Sequence, residues 1–190
     1  MKIGIDLDGV VFNSEMLFMA AAEIFDATVL GRNSIVNPEE PRVQSKYAWT
    51  DEEFQRFIER YATSRDFDVM PCAAEVIRAL GEKNELFVIS ARGQFFEEEL
   101  VIAKEKLEGA GIRFDHYHFG HLNKAAIAEE CQIDVMIDDR YDVCEKLSEM
   151  GIFCLYFKMA GRRSTRDSEM IREVHNWGDV YRILMEKGAL

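Results

Sequence analysis

Lys2-Ile3-Gly4-Ile5-Asp6-Leu7-Asp8-Gly9, residues 2–9, is the stretch that decides the fold. A short apolar run ends there in two aspartates and a glycine, which predicts a buried β-strand with a loop at its carboxyl end. From Pro71 onward, apolar runs of strand length alternate with segments that show helical spacing. Strands that alternate with helices predict an α/β fold, in which helices cover both faces of a parallel sheet.

The region from residue 13 to residue 68 interrupts this alternation directly after the first strand. Two helices with an irregular stretch between them are predicted there, and Thr50 and Glu53 form a capping-box pattern at the start of the second helix. An insertion at this point lies above the strand ends. We therefore expect residues 13–68 to form a small helical cap on a core of residues 1–12 and 69–190.

Composition sets limits on the partners of the chain. Its 190 residues are enough for one domain with a small insertion, and its net charge of −12 argues against binding a nucleic-acid polymer, which needs a basic face. The apolar runs are too short to span a membrane, and Met1 leads directly into a strand without a secretory leader. We expect a cytoplasmic protein without a membrane partner, either monomeric or homodimeric.

Polar side chains follow the ends of three predicted strands. The first group follows the opening strand, the second follows Val88-Ile89, and the third follows Met136-Ile137. A lysine begins the helix before the third of these strands. Because the carboxyl ends of parallel strands meet at one edge of a sheet, we expect these side chains to lie close together. They are Asp6, Asp8, Ser90, Ala91, Arg92, Lys124, Asp138 and Asp139.

Asp6 and Asp8 suit a phosphoryl transfer. Residues i and i+2 of an extended segment lie on the same face, so both carboxyl groups can reach one substrate. A carboxylate can attack phosphorus in line, and a second carboxyl group can protonate the departing oxygen and then activate water. Gly9 allows the backbone to turn tightly beside them. Asp6 and Asp8 therefore suit the roles of a nucleophile and of a general acid and base.

Asp138 and Asp139 suit a metal ion, because carboxylate oxygens are the ligands that Mg²⁺ prefers in proteins. Ser90 and Arg92 would bind phosphate oxygens, and Lys124 would bind another while it reduces the repulsion among four carboxylates. A chain with a net charge of −12 needs such local cations to bind an anionic substrate. The pattern leaves open which of the two adjacent aspartates contacts the metal directly.

The four motifs in this order resemble those of the haloacid dehalogenase-like phosphohydrolases. Asp6 to Gly9 matches the first motif of that family, Ser90 the second, Lys124 the third and Asp138-Asp139 the fourth. The resemblance covers nearly the whole chain. It implies a three-layer, Rossmann-like fold, an aspartyl-phosphate intermediate on Asp6, and Mg²⁺ held by Asp6, by the backbone carbonyl of Asp8 and by one of the two adjacent aspartates. The phosphate would lie among Ser90, Ala91, Arg92 and Lys124.

Further stretches look like the 5′(3′)-deoxyribonucleotidase branch of that family and its bacterial relatives. They are Ile3 to Val10, Lys46-Tyr47-Ala48-Trp49, Ile137 to Arg140, and His175-Asn176-Trp177. Members of that branch dephosphorylate nucleoside monophosphates, so the resemblance implies a substrate of this class. Phe12, Tyr47 and Trp49 would then stack on the base or sugar, although packing within the cap explains these aromatic side chains equally well.

Three alternatives remain open. In the first, the same hydrolytic chemistry acts on a sugar phosphate or another small phosphorylated metabolite instead of a nucleotide. A phosphoacceptor domain of the receiver type shares the acidic residues, the metal and the lysine, but the order of the motifs and the cap disfavour it. A catalytically silent binding domain is the third alternative.

A basic loop with Arg162, Arg163 and Arg166 is either solvated surface or a contact for phosphate or a partner.

Overall fold

The apolar residues 2–5 form the central strand of the sheet in a computed structural model of the chain. The structure describes residues 1–32, 35–38, 40, 42–61, 67–94, 97–159 and 168–190. Within these residues the strands are β1 (Lys2–Ile5), β2 (Glu85–Ile89), β3 (His116–His118), β4 (Val135–Asp138), β5 (Phe153–Phe157) and β6 (Ile171–Val174). The helices are α1 (Ser14–Thr28), α2 (Val43–Lys46), α3 (Asp51–Tyr61), α4 (Ala73–Gly81), α5 (Glu98–Gly109), α6 (Lys124–Cys131), α7 (Tyr141–Glu149) and α8 (Trp177–Glu186).

The six strands form one parallel sheet in the order β3-β2-β1-β4-β5-β6. Ile5 at the end of β1 pairs with Val88 on one side and with Ile137 on the other. The carboxyl ends of β1, β2 and β4 therefore lie side by side. This arrangement confirms the predicted α/β fold with a parallel sheet, and it places the first, second and fourth motifs on neighbouring strands.

Helices cover both faces of the sheet. Leu86 and Val88 point into a core that includes Leu80 of α4 and Val180 of α8, whereas the alternating residue Phe87 points into a core on the other face. This alternation follows from the pleat of a strand, which sends successive side chains to opposite faces. Full burial of each large aliphatic side chain contributes about 1.5–3 kcal/mol, so the two cores together hold the strand ends in fixed positions.

Strand β6 was not predicted from the sequence. Its central residues, Arg172 and Glu173, are exposed and half-buried, while Ile171 and Val174 at its ends are buried. An edge strand contacts a neighbour on one side only, so it tolerates charged side chains that make it read as a loop. The predicted basic loop at Arg162, Arg163 and Arg166 lies outside the described residues.

Helices α1, α2 and α3 pack on one another above the sheet, around a hydrophobic cluster of their own that includes Phe25, Trp49 and Phe57. The predicted capping box is present at the start of α3, where Thr50 N donates to Glu53 Oε2 at 2.9 Å and Glu53 N donates to Thr50 Oγ1 at 3.2 Å. A helical insertion after the first strand is thus part of the fold. Its boundaries at residues 13 and 68 stay our proposal.

The chain enters and leaves this insertion at one place. Phe12 and Val69 form an isolated β-bridge, and Asn13 N donates to the carbonyl of Asp68 at 3.0 Å. The Asn13 side chain in turn accepts a hydrogen bond from Asp68 N at 2.8 Å. The two points where the chain passes between the core and the insertion, at Asn13 and Asp68, are therefore held together next to the end of β1. Among the residues that the structure describes, no helix is long and apolar enough to cross a membrane.

Candidate active site

Asp6 occupies the centre of the candidate site. It directly follows β1, and its backbone N–H still donates to the carbonyl of Ile137 at 3.0 Å, so the sheet holds its main chain. Asp138 ends β4 on one side, and Ser90 follows β2 on the other, where Ser90 N donates to the carbonyl of His118 at 2.9 Å. The structure thus brings together the motif residues that the sequence places at separate strand ends.

Lys124 joins the two central carboxylates from the first turn of α6. Its Nζ lies 2.8 Å from Asp6 Oδ2 and 2.7 Å from Asp138 Oδ2, and its side chain is only 4% exposed. Burial alone would lower the pKa of Lys124, but the two aspartates outweigh this effect and raise that pKa above its usual range. The two aspartates therefore favour the ammonium form of Lys124.

Three buried carboxylates form a cluster that fits a divalent cation. Asp6, Asp138 and Asp139 each offer an oxygen, and these oxygens lie within 4.8 Å of one another. Asp6 Oδ1 is buried and has no hydrogen-bond partner among the described residues, although a buried carboxylate oxygen normally has one. Lys124 shares one positive charge between Asp6 and Asp138. A hard cation with oxygen ligands would bind the unpartnered Asp6 oxygen and offset negative charge in the cluster.

The pKa values of the Asp6 and Asp139 carboxyl groups reflect their burial first and the charges of their neighbours second. Burial raises the pKa of Asp6 to about 6, even though Lys124 lowers it, and the charges of Asp138 and Asp8 raise it further. Burial also raises the pKa of Asp139 well above its usual range, and the charge of Glu15 makes the next largest contribution in the same direction. Without a cation, ionised forms of Asp6 and Asp139 are costly, so the site favours either a proton or a metal ion.

Gly9 leaves room for Asp139. Its φ of +75° lies in the left-handed region, and a Cβ built on it would stand 2.7 Å from Asp139 Oδ2 and 2.8 Å from Asp139 Cγ. Only glycine combines this backbone conformation with so close a neighbour. The glycine of the first motif therefore has a definite task, which is to let an aspartate of the fourth motif approach the loop after β1.

We expect Gly9→Ala to weaken cation binding as well as stability. The left-handed conformation alone costs a non-glycine residue about 1–2 kcal/mol, and the added methyl group must also displace the Asp139 carboxylate. Gly111→Ala is the matched control, because Gly111 has a φ of +67° and open space around its Cβ direction. Chemical denaturation with and without Mg²⁺ measures both effects. Equal loss of Mg²⁺ stabilisation in both variants would contradict the role of Gly9.

The carboxylates open into a pocket of about 160 Å³ below the cap. The described part of its lining contains charged and polar side chains and Ala91, but no aromatic side chain. The lining residues are Asp6, Asp8, Glu15, Arg42, Ser90, Ala91, Lys124, Asp139 and Arg140. Glu15 and Arg42 come from the cap segment and were missed by sequence analysis, because neither belongs to a strand-end motif. Arg140 was named only as the end of the stretch from Ile137 to Arg140. Asp138, which contacts Lys124, is not among these lining residues.

Other predicted residues lie away from the pocket lining. Arg92 donates to the Asp8 carboxylate instead, with Nε 3.0 Å from Oδ2. Phe12, Tyr47 and Trp49 are 0%, 3% and 5% exposed. Tyr47 and Trp49 stack on each other inside the cap, and Trp49 Nε1 donates to Asp26 Oδ1 at 2.6 Å. This packing brings none of the three aromatic side chains to the pocket, so we do not include them in the proposed site.

A second hollow, of about 400 Å³, lies at the opposite end of the sheet. Met1, Lys2, Glu85, Gln132 and Asp134 line it. Its charged groups are already engaged, since Lys2 Nζ donates to the carbonyl of Cys131 and Lys2 N donates to Asp134 Oδ2. The strand-end pocket, with its unpartnered carboxylate oxygen, is therefore the better candidate for chemistry.

Comparison with known proteins agrees with this geometry. The model of a family described as "5' nucleotidase, deoxy (Pyrimidine), cytosolic type C protein" matches residues 1–189. A search of curated proteins found no significant match.

Solved structures of haloacid dehalogenase-like proteins share the fold. One from Streptococcus pneumoniae aligns with a TM-score of 0.71 at 16% identity, over 96% of this chain and 97% of that chain. One from Agrobacterium tumefaciens aligns with a TM-score of 0.63 at 14% identity, over 98% of both chains. A hydrolase from Xanthomonas campestris aligns with a TM-score of 0.61 at 18% identity, over 100% of this chain and 98% of that chain. At these identities the likeness concerns the fold alone.

Proposed function

The chain belongs to the 5' nucleotidase, deoxy (pyrimidine), cytosolic type C protein family, a family of phosphoric monoester hydrolases, and from this premise we propose that it cleaves phosphate monoesters through an aspartyl-phosphate on Asp6. The observation that carries the proposal is the state of the Asp6 carboxylate. Lys124 holds one oxygen at 2.8 Å, while the other is buried and unpartnered at the floor of a polar pocket. A nucleophile needs such a fixed orientation.

The first step forms the phosphoenzyme. An oxygen of Asp6 attacks phosphorus, the bond from phosphorus to the ester oxygen breaks, and the departing oxygen takes a proton from Asp8, which also lines the pocket. Ser90 and Lys124 donate hydrogen bonds to phosphoryl oxygens as the negative charge on them grows. Ser90 is 1% exposed, so its position is fixed by the surrounding core.

The second step restores the enzyme. Asp8, now a carboxylate, takes a proton from a water molecule, and the resulting hydroxide attacks phosphorus. The bond between phosphorus and Asp6 breaks, so that inorganic phosphate leaves and both carboxyl groups return to their starting state. One residue therefore serves first as acid and then as base.

Asp6, Asp138 and Asp139 would hold Mg²⁺ by carboxylate oxygens, and the ion would offset the charge of the phosphoryl oxygens during both steps. Arg140 N donates a hydrogen bond to Asp138 Oδ1 at 2.9 Å, which fixes the orientation of that carboxylate.

Nucleoside monophosphates are the first substrate class that we propose, because the family is described as deoxynucleotide-directed and cytosolic. A small polar phosphate ester, such as a sugar phosphate, is the second candidate. One observation favours it: among the residues that the structure describes, the lining of the pocket of about 160 Å³ contains no aromatic side chain on which a base could stack. In either case we propose a cytoplasmic enzyme for small metabolites, as a monomer or homodimer, without a nucleic-acid polymer or membrane as partner.

A panel of phosphate monoesters tests the proposal and separates the two classes. Release of inorganic phosphate is measured with purified protein and Mg²⁺ on deoxyribonucleotides, ribonucleotides, sugar phosphates and p-nitrophenyl phosphate. Preference for nucleotides supports the first class, and activity on sugar phosphates alone supports the second. No turnover of any ester, including the activated aryl ester, would reject the phosphatase function and favour a silent binding domain.

Magnesium should stabilise the metal-free protein, and more so above pH 6. The pKa of Asp6 is raised to about 6 in the folded state, so between about pH 4 and pH 6 the folded state binds more protons than the unfolded state, and stability falls as the pH rises through this window. Mg²⁺ must replace that proton. At 100 times its dissociation constant an ion adds about 2.7 kcal/mol, or roughly 5–10 °C in melting temperature.

Thermal melts at about pH 7.5 and pH 5, with Mg²⁺ and with KCl of equal ionic strength, measure this effect. We expect a clear shift with Mg²⁺ at the higher pH and little at the lower pH. EDTA should reverse the shift and stop turnover, and Mg²⁺ should restore both. A shift of the same size with KCl, or at both pH values, would speak against binding at the aspartate cluster.

A further inference from the structure

Arg92 is engaged with Asp8 instead of with the floor of the pocket. Its Nε donates to Asp8 Oδ2 at 3.0 Å, and its Nη2 donates to Asp8 Oδ1. The Arg92 side chain is only 8% exposed, whereas that of Asp8 is 34% exposed towards the pocket. A guanidinium group that meets both oxygens of a carboxylate fixes the plane of that carboxylate as well as its position.

The guanidinium group is itself fixed. It lies over the ring of Phe67 at 4.4 Å and over the ring of Phe12 at 5.6 Å, which favours a cation at this place. Both backbone polar groups of Arg92 form hydrogen bonds. Its N–H donates to Ser90 Oγ at 3.3 Å, and its carbonyl accepts from Gly120 N at 2.9 Å. Arg92 therefore has little freedom to turn towards a substrate.

The cap completes the contacts of Asp8. Ser14, the first residue of α1, donates a hydrogen bond from its Oγ to Asp8 Oδ1. Donors from the core and from the cap thus hold the carboxylate between them. Arg92 follows directly on Ser90 and Ala91 in the chain, yet those two residues line the pocket and Arg92 does not.

We propose that Arg92 is a positioning residue, which acts on the reaction by orienting Asp8 and makes no contact with the transferred phosphate. The proposal rests on the proposed function, since it assigns Arg92 to the acid and base steps of that reaction. It replaces the expectation from sequence that Arg92 binds phosphate. The two roles differ in what they predict for kcat and for phosphate affinity.

Kinetics of Arg92→Gln and Arg92→Lys separate the two roles. General acid and base catalysis contributes roughly 10²–10⁴-fold, so a misaligned Asp8 should lower kcat on an alkyl phosphate by about 10- to 100-fold. KM and the inhibition constant of inorganic phosphate should stay close to those of the wild type. Lysine has a single ammonium group in place of the planar guanidinium group that meets both carboxylate oxygens, so Arg92→Lys should not restore kcat. A rise of about tenfold in the inhibition constant with kcat unchanged, or full activity of Arg92→Lys, would overturn the proposal.

A double-mutant cycle tests whether Arg92 acts through Asp8. Formation of the phosphoenzyme from p-nitrophenyl phosphate is measured in a single turnover for Arg92→Gln, Asp8→Asn and the double variant. If Arg92 only orients Asp8, the Arg92 substitution should have no further effect once Asp8 is replaced. Effects that multiply in the double variant would show an independent contact with the substrate and reject the proposal.

A spectroscopic measurement is independent of turnover. The Nε–H proton of Arg92, assigned by nitrogen-15 NMR, should shift in Asp8→Asn but stay in place when inorganic phosphate and Mg²⁺ are added to the wild type. The proposal would be overturned if the Nε–H signal shifted when phosphate was added to the wild type but did not shift in Asp8→Asn. This outcome can be read even from a protein without activity. A failed ester panel with the expected NMR result would instead reject the proposed function and leave the Arg92–Asp8 contact intact. Arg92→Lys carries the kinetic test if Arg92→Gln does not fold.

Discussion

Replacement of Asp6 by asparagine should abolish turnover and leave the protein folded. The amide cannot attack phosphorus, and loss of a catalytic nucleophile in enzymes lowers kcat by a factor on the order of 10⁶. Folding should not suffer, because asparagine has the same shape, and Asp6 as a buried carboxylate with a pKa raised to about 6 is costly at neutral pH. Lys124 would keep its contact with Asp138 at 2.7 Å. Phosphate release and thermal melts measure the two effects.

Asp134→Asn is the matched control for this experiment. Asp134 immediately precedes β4, at the end of the sheet opposite to the site, where its Oδ2 accepts a hydrogen bond from Lys2 N. It should keep normal turnover. Acid-quenched labelling with a phosphorus-32 ester adds a direct test, since wild-type protein should carry label and Asp6→Asn should not. Label in Asp6→Asn would assign the nucleophile to another residue.

Replacement of Lys124 by methionine should destabilise the metal-free protein strongly. Methionine keeps most of the packing volume but leaves Asp6 and Asp138 without their shared cation, and removal of one partner of a buried ion pair costs about 3–5 kcal/mol. For a chain of this length that is a fall of roughly 6–20 °C in melting temperature. Lys124 lowers the pKa of Asp6, so its loss raises that pKa further. The destabilisation should therefore grow as the pH rises above about 6 and shrink in acid.

Two variants check the cause of this loss. Lys146→Met removes an exposed lysine of α7 whose Nζ donates to Asn123 Oδ1 at 3.3 Å, and should change stability by no more than about 0.5 kcal/mol. Adding Asp6→Asn to Lys124→Met should restore part of the stability, because one of the stranded charges is removed. A double variant that is less stable than Lys124→Met would show that Lys124 stabilises the fold by packing and not by charge.

The sequence was sufficient to predict the charged floor of the site. Asp6, Ser90 and Asp138 follow apolar runs, and a parallel sheet must bring the ends of those runs to one edge. Lys124 was predicted because a single lysine at a helix start precedes the last of these strands. These inferences needed only the alternation of strands and helices, which is a local property of the chain.

The walls of the pocket could not be predicted in the same way. Arg42 reaches the pocket from the irregular part of the cap, and its position depends on how the cap packs on the core. The pairing of Arg92 with Asp8 joins residues 84 positions apart, and nothing in the order of motifs distinguishes it from a phosphate contact. Tyr47 and Trp49 look equally suited to stacking on a ligand or on each other, and tertiary packing decided for the latter.

The paired crossings at Asn13 and Asp68 have a consequence for how this protein can change over time. Two hydrogen bonds join these residues, so the residues between them leave the core and return to the same spot. A shorter or longer segment can be closed there at little entropic cost, since loop closure depends only weakly on length. The helical insertion can therefore be shortened, lengthened or exchanged as one block, while the strand ends that carry Asp6, Ser90 and Asp138 stay as they are.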